Sequence, residues 1–203
     1  MDYKTRKAYN QYPNEFAAKF KTYAETDTFT ELADMFLKSI HSHHLLDLGC
    51  GPGIHASYFM QKGLKVYAVD FSENMLRLCK EKSVNLAMMD IEHIGFKKNS
   101  FDGVWAHTSL VHIRKSRLDG VINTLSDILK PQGLLYLSLK EGNGESYKAD
   151  ERYPGVERYW AYYTDEEVTM SLSKYFKRLH FSRTTNGKSV LLNYILTLAR
   201  QGV

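Results

Sequence analysis

The sequence predicts a three-layer α/β sandwich, with a seven-stranded, mostly parallel sheet between helices, an antiparallel C-terminal hairpin strand and a set of N-terminal helices. Three observations carry this. From about residue 44 to residue 140, short apolar runs alternate with helix-period segments in five βα-type units, the pattern of a parallel sheet covered on both faces. Two further strand-like runs, 178–184 and 190–199, flank Asn186-Gly187, a strong hairpin signal. The length of 203 residues, with 43% hydrophobic and 25% charged, suits one globular domain.

The elements follow in order. Residues 3–40 read as one or two helices. His44-Leu45-Leu46-Asp47-Leu48-Gly49 is a short apolar run closed by glycine, hence a buried parallel strand. A helix over 54–61 ends at Gly63, and 65–70 is the second strand. Ser72 caps the next helix, with Met75, Leu76 and Cys79 at helical spacing behind it. Residues 85–91 give a third, shorter strand and 101–107 a fourth. Leu118, Val121, Ile122, Leu125, Ile128 and Leu129 form the apolar face of a helix that Pro131 and Gly133 stop. The fifth strand covers 134–140. Residues 141–163 form a polar-aromatic connection too long for a plain turn, and so a candidate functional loop. Thr164 and Glu167 make a capping box that opens a helix through about Tyr175. The expected organisation is a single domain over 1–203: a helical lid (1–40), a core (41–140), the connection (141–163), and a last helix with the hairpin (164–203).

Composition narrows the function classes. The formal charge is +4, from 27 basic and 23 acidic residues. After Glu167 there is no acid against six bases, Lys174, Lys177, Arg178, Arg183, Lys188 and Arg200, but no Lys/Arg run or aromatic-interleaved basic stripe. That pattern suits a solvated face, and a nucleic-acid partner is not expected. Cys50 and Cys79 lack C-x-x-C spacing, which excludes a zinc or disulfide framework and suits a reducing cytoplasm. No apolar run is long enough to span a membrane, and no apolar segment follows the first charges to make a secretory signal. His41, His43 and His44 precede the first strand, at the sheet edge away from the expected site, and no metal site is expected. No oligomeric state is assigned.

The chemistry concentrates in Asp47-Leu48-Gly49-Cys50-Gly51-Pro52-Gly53, between the first strand and the first core helix. Alternate glycines let the backbone turn tightly and approach a ligand. Gly51-Pro52-Gly53-Ile54-His55-Ala56 also meets part of the dinucleotide pattern, and Asp70 at the end of the second strand would hold a ribose in either case. Three features favour another nucleoside ligand. Asp47 would repel a pyrophosphate and suits a cation or amine; Asp90 offers an acceptor to an adenine amino group; and the antiparallel hairpin departs from a wholly parallel sheet.

Leu45 to Gly53 as a string, Val69-Asp70-Phe71-Ser72-Glu73-Asn74-Met75-Leu76, Met89-Asp90-Ile91, Phe101-Asp102-Gly103-Val104-Trp105 and Leu129-Lys130-Pro131-Gln132-Gly133-Leu134-Leu135 together resemble the ordered motifs of class I S-adenosylmethionine (SAM)-dependent methyltransferases, of the small methyltransferase-domain type. The resemblance implies a Rossmann-like fold, SAM as cofactor and methyl transfer to an O or N nucleophile of a small molecule. It implies that Asp47, Gly49, Gly51 and Gly53 serve the methionine portion, that Asp70 accepts from the ribose hydroxyls, and that Phe71, Met75, Asp90 and Ile91 surround the adenine. A SAM- or nucleotide-binding module without catalysis, or an RNA methyltransferase, are the alternatives.

Acceptor candidates come from position. His107 and His112 follow the fourth strand, at the end where open α/β sheets bind ligands; His107 is grouped with the cofactor, and His112 is the expected base or orienting group. Of 14 tyrosines, Tyr3, Tyr9, Tyr12 and Tyr23 fall in residues 1–23 and Tyr147, Tyr153, Tyr159, Tyr162 and Tyr163 in 147–163. The expectation is two walls of one acceptor pocket, Tyr12 and Tyr23 facing Tyr159, Tyr162 and Tyr163, with Arg158 ready to pair with an acidic group.

Overall fold

The structure is a computed structural model that describes residues 2–80, 85–150 and 153–199. It opens with three helices, α1 (Tyr3–Gln11), α2 (Pro13–Ala24) and α3 (Asp27–Ser39), one more than the upper expectation. Pro13 explains the difference: it has no N–H to continue α1 but sits well in the first turn of α2. Side-chain caps fix two starts, Asp2 accepting from the Thr5 N–H at 2.9 Å and Thr26 from the Phe29 N–H at 3.3 Å.

Then come β1 (His44–Leu48), α4 (Ile54–Gln61), β2 (Lys65–Asp70), α5 (Glu73–Lys80), β3 (Asn85–Met88), β4 (Phe101–His107), α6 (Leu118–Ile128) and β5 (Leu129–Lys140). They are followed by β6 (Glu145–Ala149), β7 (Glu157–Ala161), α7 (Asp165–Leu172), β8 (Phe176–Asn186) and β9 (Ser189–Leu198). The main sheet has the expected seven strands, in the order β3-β2-β1-β4-β5-β9-β8. The first five are parallel, and β9 inserts between β5 and β8, antiparallel to both.

Four local expectations change. β5 begins at Leu129 rather than 134, because Pro131-Gln132-Gly133 forms a bulge inside it: Phe101 pairs with Leu129 and Gly103 with Leu134, with Gln132 at φ 65°. The connection 141–163 is no loop but contains the two-stranded sheet β6-β7. β3 stops at Met88 and α7 at Leu172. Arg200 of the base-rich C-terminus lies outside the described residues.

Strand alternation divides the core. Val104 and Leu135 point to one face, under α6. Trp105 and Tyr136, paired in register, point to the other, where their rings stack at 3.6 Å beneath Phe29, Phe36 and Phe59. This second face lies under α3 and α4, so the strand ends β1, β2 and β4 are held rigidly at one edge.

Candidate active site

Gly49, Gly51 and Gly53 take φ of 77°, 51° and 73°, values that L side chains rarely adopt. Space is equally restrictive. A Cβ on Gly49 would lie 2.4 Å from Ser109 Cβ, and one on Gly53 2.2 Å from Cys79 Sγ. Only Gly51 looks toward open room, its nearest neighbour being the Phe20 ring at 3.6 Å. The loop amides are spent internally: Gly49 and Cys50 N–H donate to Val69 O at 2.8 and 2.9 Å, Gly51 N–H to Asp70 at 2.8 Å, and Gly53 N–H to Cys50 O at 3.0 Å. With these N–H groups already paired, the loop itself offers few donors to a pyrophosphate.

Asp70 sits at the centre. One carboxylate oxygen accepts from Gly51 N–H and the other from Ser72 N–H at 2.7 Å, so each keeps lone-pair capacity for a further donor. Burial raises its pKa, and the Ser72, Gly51 and Phe71 amides oppose that rise. Asp47, 2% exposed, has no hydrogen-bond partner for Oδ2 among the described residues. Burial first, then the charge of Asp70, push its pKa up to about 7, against a pull down from the Ala56 N–H. An orphaned buried carboxylate beside a second acid is a site for a cationic or donor group.

A cavity of about 160 Å³ runs from this loop to a chamber beneath α1 and α2. Gly49, Gly51, Asp70, Phe71 and Met75 line its first end. Tyr9, Phe16, Phe20, Tyr23, Arg158 and Trp160 line the second, with His107 and His112 on the floor. The N-terminal helices are fastened at both ends. Asn10 accepts from the Ser72 hydroxyl at 2.7 Å and the Asn74 N–H at 3.2 Å, and its carbonyl accepts from the Asn74 amide at 2.7 Å. On the other side the Tyr159 N–H donates to the Thr5 hydroxyl at 2.9 Å, and Lys4 pairs with Glu157 at 2.7 Å.

The two histidines are neutral and differently placed. His107 Nδ1 lies 3.1 Å from the Tyr136 hydroxyl, which itself donates to Asn193 at 2.9 Å, so the imidazole N–H is the donor there. Its ring stacks on Tyr23 at 4.7 Å, and burial, with His55 close by, holds its pKa well down. His112, 4% exposed, has Nδ1 2.7 Å from the Tyr159 carbonyl and Nε2 2.8 Å from the Tyr9 hydroxyl.

The structure brings some expected residues together and separates others. Among the described residues, Gly49, Gly51, Asp70, Phe71, Met75, His107, His112, Tyr23 and Arg158 line the cavity. Asp47 and Gly53 stand behind the loop. Ile91 is buried against Gly49, and Asp90 accepts from the Glu92 N–H at 2.9 Å in the turn after β3. The two tyrosine clusters do meet, since Tyr12 stacks on Tyr153 at 5.0 Å and Tyr147 donates to Asp2 at 2.6 Å. Yet Tyr12, Tyr159, Tyr162 and Tyr163 lie outside the cavity wall. The cause is strand alternation: on β7, Arg158 and Trp160 face the cavity, so Tyr159 and Ala161 face away. Arg158 is already paired with Asp150 at 2.7 Å, both side chains under 10% exposed, which corrects its expected role as a waiting partner for an acidic ligand. Tyr9, Asn10, Phe16 and Trp160 were missed; the period-two pattern of 157–161 carried the signal for Trp160. Among the described residues no cluster of His, Cys, Asp or Glu is set to hold a metal, and no helix is long and apolar enough to cross a membrane.

Residues 46–137 match the family model of a methyltransferase domain. A malonyl-[acyl-carrier protein] O-methyltransferase of Buchnera aphidicola is 32% identical over 111 residues, 54% of this chain and 44% of that protein. Matches to curated relatives span between a quarter and a half of their length. Among solved structures, a SAM-dependent methyltransferase of Methanosarcina mazei superposes with TM-score 0.74 at 18% identity, covering 81% of this chain and 96% of that one. A 1,6-didemethyltoxoflavin-N1-methyltransferase of Burkholderia thailandensis, with bound 1,6-didemethyltoxoflavin and S-adenosylhomocysteine, does so with TM-score 0.67 at 20% identity over 92% and 90% of the two chains. These two likenesses establish the fold.

Proposed function

From the match of residues 46–137 to a methyltransferase domain and the fold it shares with SAM-dependent methyltransferases, we propose that the chain transfers a methyl group from SAM to an oxygen or nitrogen nucleophile of a small-molecule acceptor. One observation supports this most: a single cavity joins the glycine loop and Asp70 to an aromatic chamber under the N-terminal helices, so a cofactor and an acceptor would meet inside it. The Burkholderia enzyme is an N1-methyltransferase and the Buchnera enzyme an O-methyltransferase, so the acceptor atom is left as O or N.

The residues present fit SAM. When bound, SAM supplies an electrophilic methyl group on a sulfonium, the chemistry that the protein itself does not need to provide. Gly51 allows close approach to the backbone, and Asp70 keeps an open lone pair on each oxygen for the ribose hydroxyls. The unpartnered Asp47 oxygen suits the amine end. Phe71 and Met75 line the adenine side in this reading, with Asp90 taking the amino group and Ile91 packing behind. The α1–α2 lid excludes water, and holding the acceptor in line is the chain's main contribution to rate. His112 serves the acceptor through Tyr9, since Tyr9 occupies its Nε2. The buried free thiols Cys50 and Cys79 suit a reducing cytoplasm.

Calorimetric titration with SAM, then incubation of methyl-labelled SAM with a small-molecule extract, tests this. Saturable binding followed by label in a small molecule is expected. Full occupancy with no label transferred would make the chain a SAM-binding module.

A further inference from the structure

The acceptor end of the cavity has a polarity that the hydrogen bonds fix. The Tyr159 carbonyl can only accept, so His112 Nδ1 carries the proton and Nε2 presents its lone pair. Burial, the largest influence on this ring, with Arg158 and Lys140 nearby, holds the His112 pKa down to about 3, so the ring is neutral. The only hydrogen available between Nε2 and the Tyr9 oxygen, 2.8 Å apart, is therefore the phenolic one, and Tyr9 donates to His112. Arg158 donates to the same oxygen at 3.1 Å and is held in place by Asp150. The Tyr9 oxygen thus has its proton committed and can do one thing more, which is to accept.

We propose that Tyr9 is the acceptor-orienting residue of this site, its phenol oxygen receiving the O–H of an uncharged aromatic hydroxyl compound. The inference rests on the methyl-transfer reading and narrows it to an oxygen nucleophile. Two further observations select the class. Arg6, Lys19 and Lys140 border the cavity beside the Arg158–Asp150 ion pair, and among the described residues Asp70, at the cofactor end, is the one carboxylate of its lining, a setting that disfavours an ammonium group at the acceptor end. The chamber around Tyr9 is built from flat surfaces: Phe16 lies 4.8 Å and Phe20 6.4 Å from the Tyr9 ring, and Trp160 lies 4.5 Å from the His112 ring. These rings touch one another and so make a continuous aromatic wall, against which a planar ring can pack with its hydroxyl proton on Tyr9 and its remaining oxygen lone pairs turned elsewhere.

The probes are phenol, its methyl ether anisole and benzylamine, followed by chemical-shift titration of the protein with and without saturating S-adenosylhomocysteine. Phenol is expected to bind more tightly than anisole, and benzylamine more weakly than either. Tyr9→Phe is expected to weaken phenol roughly threefold to tenfold while leaving anisole unchanged, the range of one net hydrogen bond. Anisole equal to phenol in the native protein, benzylamine ahead of phenol, or a phenol preference that survives Tyr9→Phe would overturn the proposal. If the variant does not fold, the imidazole nitrogen shifts of His112 in the native protein decide: a proton on Nδ1 supports the assignment, and one on Nε2 refutes it. Absence of S-adenosylhomocysteine binding would count against the methyl-transfer reading alone, because the probe titration is read in its absence too.

Discussion

Replacing Gly53 by alanine perturbs the cofactor loop at its most constrained point. Two penalties can be worked out separately. The backbone at φ 73° puts an L side chain in the left-handed region, a cost of about 1–2 kcal/mol. The added Cβ would meet Cys79 Sγ at 2.2 Å, with Cys79 Cβ at 3.2 Å and its Cα at 3.4 Å, so α5 or the loop has to shift. Overpacking of this kind costs about 1–3 kcal/mol. The sum, about 2–5 kcal/mol, is a large part of a domain's usual stability. Urea unfolding of Gly53→Ala, Cys79→Ala and the double variant separates the two contributions. Removing Sγ should recover the steric part and leave the backbone part, so the double variant is expected to lie closer to Cys79→Ala than Gly53→Ala lies to the native protein. A Gly53→Ala loss below about 0.5 kcal/mol, or an equal loss in both Cys79 backgrounds, would refute the reasoning.

Asp70→Ala strips acceptors from the Gly51 and Ser72 amides as well as from the ribose, and is expected to weaken SAM about a hundredfold or more in calorimetry, since hydrogen bonds to a charged group contribute about 1.5–3 kcal/mol each. Asp47 has a folded pKa raised from its ordinary 3.8 to about 7, so the folded state holds the extra proton and stability falls as pH rises from 4 through 7. Asp47→Asn should flatten that slope and leave the variant the more stable of the two above pH 7, by on the order of 4 kcal/mol at most, read from denaturant midpoints across pH. Asn10→Ala removes the two hydrogen bonds that its side chain accepts from Ser72 and Asn74, leaving the one to its backbone carbonyl, and is expected to raise amide exchange in residues 3–24 several-fold while the central strands stay protected.

The parallel core was legible because its punctuation is local. β1, β2, β4 and α4 end where Gly49, Gly63, Ser72 and the strand-closing polar residues require, and the Thr164–Glu167 capping box is seen as expected at the start of α7. β6 was hidden because all five of its residues are exposed, so no apolar alternation marks it as a strand. The bulge in β5 looked like a helix stop since Pro131 and Gly133 serve either purpose. The acceptor end was least legible for a different reason. Tyr9 meets His112 and Arg158 across 103 and 149 residues, and no spacing rule reports contacts of that range. Composition drew attention to tyrosines, whereas the side of the strand decided which aromatics reach the cavity.

The fastening of α1 bears on the order in which the molecule assembles. Its hydrogen-bonded partners lie between 62 and 154 residues further along the chain, while β1 pairs with β2 across 21 residues and β2 with β3 across 18. The partners of α1 are held in place by the finished sheet and by β7, so α1 is expected to dock after them and to loosen early in partial unfolding. Thr5, Ala8 and Phe16, buried in the finished protein, stay exposed during synthesis until Tyr159 has emerged. A ligand held beneath these helices therefore acts on that docking step, and its signature is protection gained over residues 3–24 rather than in the core.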